Sequence, residues 1–156
     1  MVPRKAIVMQ TKKEHVKALA KAVVSRLEQD QSIVLNPRNR QMVYQDLFLK
    51  LEPVVFTDED IRERVINQLG LKSEELGETG YTENDQYRAA KSVLMAKHGE
   101  NAVSGMYYQL PIKIVAQQIG LFLMGHQQVE DVFPSDEELE RAIVQFLKRF
   151  APDQLH

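Results

Sequence analysis

The chain is expected to be all-α, a compact bundle of six to seven helices built from two similar three-helix units. Three observations in its 156 residues lead there. Apolar residues recur at three- and four-residue spacing almost throughout, the period of an amphipathic helix, and the period-two alternation of half-buried strands is scarce. Helix-start chemistry precedes most of the apolar stripes. One stretch is also nearly said twice: "VVFTDEDIRERVINQL" from Val54 and "DVFPSDEELERAIVQFL" from Asp131.

The first helix is expected to start at Thr11, paired with Glu14 as a capping box. Val16, Leu19, Ala20, Val23 and Leu27 form its apolar face. Asn36 caps the second, with Pro37 at the first helical position, where a missing N–H costs nothing. Its stripe is Met42, Val43, Leu47 and Leu51, and Pro53 ends it. Thr57 caps the third, which carries Ile61, Val65 and Leu69 and closes at Gly70. The Gly-, Thr- and acid-rich stretch 71–82 reads as the main linker. A fourth helix follows over Glu83–His98, with Tyr87, Ala90, Val93 and Leu94 as its face and Gly99 at its end. Asn101 caps a short segment through Tyr107 and Tyr108. Pro111 then restarts a fifth helix, "PIKIVAQQIGLFLM". The last opens on the capping box Ser135 and Glu138 and carries Leu139, Ile143, Phe146, Leu147 and Phe150.

The doubled stretch belongs to a longer echo. "PRNRQMVYQDLFL" from Pro37 matches "PIKIVAQQIGLFL" from Pro111, 74 residues on, and "AKAV" at Ala20 matches "AKSV" at Ala90. Capping words recur by convergence, because the physics of helix starts selects them. The order of three matches in both halves carries the reading of two units, about 11–69 and 83–150, within a single domain 1–156. Within the second unit, "IGLFLM" lacks any charge, so residues 119–124 are expected to be the most buried helical segment, and Phe133 is expected inside.

Composition narrows the function classes. There is no Cys, which removes disulfides and thiol chemistry and fits a cytoplasmic protein. Twenty basic and 22 acidic side chains leave a net charge of −2, a balance that argues against a strongly electrostatic nucleic-acid binder. "MVPRKAIVMQTKKEH" is no secretory signal, and "GLFLMG" is far too short for a membrane span.

"EHVKALAKAVVSRLEQDQSIVL", "FTDEDIRERVINQL" and "NDQYRAAKSVLMAKHG" resemble a bacterial family of short helical proteins, catalogued as a domain of unknown function, number 507. The resemblance covers roughly the first hundred residues and departs from Asn101 onward. It implies a helical, cytoplasmic bacterial protein and carries no catalytic residue to any position here.

Chemistry-bearing patterns are few. His15, His98, His126 and His156 make no HExxH pair and share no helix face at ligand spacing, so no metal site is expected. His98 reads as a helix end capped by Gly99, and His126 as part of a solvated loop. The acids Asp58–Glu59–Asp60 and Asp136–Glu137–Glu138 are better read as first-turn residues favoured by the helix dipole than as catalytic pairs. "LGETG" has neither the lysine nor the strand of a phosphate loop, and no nucleophile elbow is present. No catalytic residue and no cofactor is assigned.

Two function classes remain. The preferred one is a non-enzymatic protein-interaction module, working on a protein partner or by self-association, with Leu121, Phe122 and Leu123 as its apolar surface if they are exposed. The alternative is nucleic-acid binding through Arg38 and Arg40 and the first-helix cations Lys12, Lys13, Lys17, Lys21 and Arg26.

Overall fold

A computed structural model of the protein describes residues 11–64 and 83–151. Val65, Leu69, Gly70 and the expected linker 71–82 lie outside these residues. In chain order come α1 (Lys13–Gln29), β1 (Ile33–Leu35), α2 (Arg40–Leu51) and β2 (Val55–Thr57), then α3, described over 58–64. The second half holds α4 (Glu83–His98), β3 (Ala102–Val103), β4 (Met106–Tyr108), α5 (Ile112–Gly125), β5 (Val129–Val132) and α6 (Asp136–Arg149). Among the described residues no helix is long and apolar enough to cross a membrane.

The protein is mostly helical, but short antiparallel strands correct the all-α expectation. Each strand has only two to four residues, too few for alternation to register as a period. Their partners are also remote in sequence. β1 pairs with β5, and β4 lies between β2 and β3. The strand before α2 therefore joins the strand after α5, and the strand after α2 joins the strand before α5. Tyr107 and Tyr108, expected in a helix, are strand residues, paired with Phe56 and Val55. Ser104 and Gly105 link β3 to β4 with φ of 51° and 82°, the positive pair of a type I′ hairpin turn. Asn101 does cap a helix, though a different one: its Oδ1 accepts from the Ile112 N–H at 3.0 Å, at the start of α5.

α1 is the helix at the centre. Val16, Leu19, Ala20, Val23, Val24 and Leu27 are all buried, and α1 packs along α2 while also touching β1, β2 and α6. Residues 119–124 are divided instead: Ile119, Gly120 and Leu123 are buried against α6, while Leu121 and Met124 face solvent. The two halves are not packed alike. α5 lies along α6, but α4 rests on β3 and β4 and not along α5 as α1 does on α2. Composition supplies the reason. Where α1 has Val16, Leu19 and Leu27, the matching positions of α4 hold Gln86, Ala89 and Lys97, which cannot fill a core.

The helix starts follow local chemistry where that chemistry is unopposed. Ser135 Oγ accepts from the Glu138 N–H at 3.2 Å, and Glu138 Oε1 accepts from the Ser135 N–H at 3.0 Å. Asn36 Oδ1 accepts from the Arg38 N–H at 3.1 Å, opening a 3₁₀ turn at Pro37–Asn39 before α2. Thr57 Oγ1 accepts from the Asp60 N–H at 3.4 Å. Thr11 is the exception. α1 starts two residues later, where His15 Nδ1 accepts from the Lys12 N–H at 2.8 Å. Phe133, expected inside, is 62% exposed, because Pro134 takes the staple position directly before the cap and leaves Phe133 two residues ahead of it.

Candidate functional site

A buried polar cluster is built around Asp58, the first residue of α3, which is 2% exposed. Tyr107 on β4 donates its hydroxyl to Oδ1 at 2.8 Å, and the Thr11 N–H donates to Oδ2 at 3.1 Å. Lys91 of α4 brings its Nζ to 3.4 Å from Oδ1. Thr11, the lost cap, donates its hydroxyl to the Ser104 carbonyl at 2.6 Å. The Asp58 and Glu59 N–H groups donate to the carbonyls of Gly105 and Thr11. Gly105 is required twice over: its φ is positive, and a Cβ would collide with Asp58 Oδ2 and Thr11 Oγ1.

The surroundings hold both phenols protonated. Burial pushes Tyr87 up to about 12, with the negative charge of Asp58 adding to it. Burial raises Tyr107 further, helped by its hydrogen bond to Asp58. Arg62 stacks 4.3 Å over the Tyr87 ring, and Lys91 lies 5.9 Å from the same ring. His98 turns its ring toward Tyr107, with centroids 6.2 Å apart, and its buried Nε2 finds no hydrogen-bond partner among the described residues. Asp58 is thus a carboxylate with its lone pairs engaged and solvent shut out. That is the geometry of a clamp joining the start of α1, α3, α4 and the β3–β4 hairpin. Asp58 does lie in the first turn of its helix, as the sequence implies, and the buried contacts to Tyr107, Thr11 and Lys91 are added to that position.

His126 is placed by a distant partner. His126, expected in a solvated loop, is part-buried: its Nε2 lies 2.8 Å from Asp46 Oδ2, and its Nδ1 accepts from the Gln128 N–H. The neutral tautomer with hydrogen on Nε2 satisfies both bonds. Among the described residues no group of three His, Cys, Asp or Glu is placed to hold a metal ion.

The cations of the alternative reading are partly committed to the protein itself. Arg40 forks onto Glu28, with Nε 3.0 Å from Oε1 and Nη2 2.9 Å from Oε2. Arg38 is exposed. Lys13 lies 3.5 Å from Asp60 and Arg26 3.2 Å from Asp30. Lys17 and Lys21 sit over the rings of Phe48 and Tyr44.

The apolar trio is split by the turn of α5. Leu123 is buried, Phe122 is half-buried against the His126 ring, and Leu121 is 67% exposed. Ile114 and Met124 are exposed as well, so residues 114, 121 and 124 form one stripe at helical spacing. Beside Leu121, α2 and α5 part around a hollow of about 400 Å³. Leu47, Leu51, Ile119 and Phe122 line it, with Lys50 and Gln118 at its polar rim. Sequence reasoning reached Leu121 from the charge-free run, but the hollow depends on two helices 74 residues apart and has no local signal. No family model, curated protein or solved structure matches the chain.

Proposed function

We propose that the chain is a non-enzymatic protein-interaction module, a helical unit used twice, whose α5 face receives an amphipathic helix from a protein partner. Leu121 carries the reading. A leucine two-thirds exposed beside an apolar hollow leaves its side chain in water, and a partner helix would withdraw it. Lys50 at the rim favours an acidic residue on that helix. The exchanged pairing of strands between the halves supports the repeated unit, and the resemblance in the first hundred residues supports the helical family. The cysteine-free composition supports a cytoplasmic setting.

The test is a photoreactive side chain placed at Leu121 in the full chain, followed by purification of the protein it captures. That partner should bind the parent protein and bind Leu121→Asp at least about tenfold more weakly, a change of about 1.4 kcal/mol, with the helical CD spectrum unchanged. Equal binding by Leu121→Asp overturns the reading. So does tight binding of RNA or DNA at physiological salt that depends on Arg38, Lys17 and Lys21, which would favour the nucleic-acid alternative.

A further inference from the structure

α6 is electrically polar from end to end. Asp136, Glu137 and Glu138 are exposed in its first turn, and Lys148 and Arg149 in its last. Fourteen residues at helical rise put the two ends about 21 Å apart. Each end adjoins an apolar feature of opposite shape.

At the acidic end stands the Phe133 ring, 62% exposed. Its backbone is fixed: the Phe133 N–H donates to the Ser32 carbonyl at 2.9 Å, β5 is paired in front, and the Ser135 capping box follows. The ring therefore projects from a fixed stretch of backbone. Glu130 and Asp131 are exposed just before it, and no basic residue occurs from 130 to 138. At the basic end, the C-terminal halves of α1 and α6 enclose a hollow of about 570 Å³. Val23, Ile143, Phe146 and Phe150 give it an apolar lining, and Arg26, Arg149 and a single acid, Asp30, line it as well. Arg149 forms no ion pair with a described residue. Arg26 is held by Asp30, but both are more than half exposed, and such a pair exchanges partners at little cost.

We infer that these are the two sides of one contact between copies of this chain: the Phe133 projection of one copy enters the α1/α6 hollow of the next, its acids facing Arg26 and Arg149. Charge and shape are complementary, and both sides lie on the same molecule, so a second copy is the occupant that the surface itself specifies. The two patches do not coincide. The contact is heterologous, and copies add head to tail instead of closing as a twofold dimer. It is separate from the α5 face and does not depend on it. Opposite charges at the rim make it strongest at low ionic strength, where the screening length is long.

Sedimentation velocity of the full chain tests this. Species larger than dimers should build up as concentration rises and salt falls, and added salt should dissolve them. Phe133→Ser and Arg149→Glu should each leave only monomers, with unchanged CD spectra. Mixed in equal amounts, the two variants should form dimers and nothing larger, because one still has the hollow and the other still has the ring. A parent protein monomeric at every concentration overturns the proposal. So does association indifferent to Phe133→Ser, a mixture that stays monomeric, or a dimer abolished by Leu121→Ser. Capture of a foreign acidic aromatic peptide in the hollow, with no contact between copies, overturns it too.

Discussion

Tyr108 shows how much a single hydroxyl can matter. The side chain is buried and its oxygen has no hydrogen-bond partner among the described residues, so the O–H was taken from water with nothing returned. Tyr108→Phe should be neutral or stabilise by about 1 kcal/mol in a denaturant titration, and a clear loss would show a hidden partner. Tyr107 is the opposite case, since its hydroxyl meets Asp58 and Tyr107→Phe leaves that acceptor short of a donor. The phenols also set a pH limit. A tyrosine whose folded pKa is raised holds its proton more tightly folded than unfolded. The stability this gives is complete below the unfolded value near 10 and is lost as pH rises through the folded value, about 12 for Tyr87. Tyr87, Tyr107 and Tyr108 should therefore gain phenolate absorbance together with loss of the CD signal. Titration of all three near pH 10 with the helices intact would contradict the burial described. Other residues were misread because their partners are distant. Thr11 has the spacing of a cap, yet its hydroxyl goes to Ser104, 93 residues on. His126 meets Asp46 across 80.

Among the elements, helix starts were legible and strands were not. A capping box is complete within four residues, so Ser135 with Glu138, or Asn36 with Pro37, is written locally. A strand of three residues takes its meaning from a partner in the other half, and no window of sequence contains both. The Ser104–Gly105 turn was the one local clue, since a Ser-Gly pair between short apolar pairs marks a turn without giving its type. Thr57→Ala and Ser135→Ala should each cost about 1 kcal/mol by loss of a cap. Thr57 should be the costlier, because it is fully buried and also donates to Asp60 at 3.0 Å. Equal melts for parent and both variants would remove the caps from the account. On α5, a Cβ at Gly120 would lie 3.5 Å from Leu139 Cδ2, an ordinary contact. Gly120→Ala should raise stability by up to about 1 kcal/mol through helix propensity, whereas Gly120→Leu should lower it by about 1–3 kcal/mol by overpacking α6. The same sign for both in thermal melts would refute this packing.

For the molecule as a whole, the echo in the sequence carried no sign of how the two halves of the chain share strands and core. The largest apolar cluster draws on α1, α2, α5 and α6 together with β1, β2 and β4. Which helix lies at its centre turned on α4, whose Gln86 and Lys97 leave it at the periphery while α1 is enclosed. Exchanged strands and a common core make the halves interdependent, so thermal unfolding should follow one transition by CD and by calorimetry. Two resolved transitions would mean that the halves are stable separately.

Strand exchange also imposes a wait during synthesis. β1 leaves the ribosome about 95 residues before the part of β5 that pairs with it. At translation rates of about 5–20 residues per second, that is roughly 5–20 s. For most of this interval the apolar faces of α1 and α2 have each other but not α5, α6 or β5. The unfinished chain should therefore be a chaperone client for a defined period. Ribosome-arrested chains carrying a crosslinker at Val23 should capture a holdase when they stop short of β4, and should stop doing so once α6 has emerged.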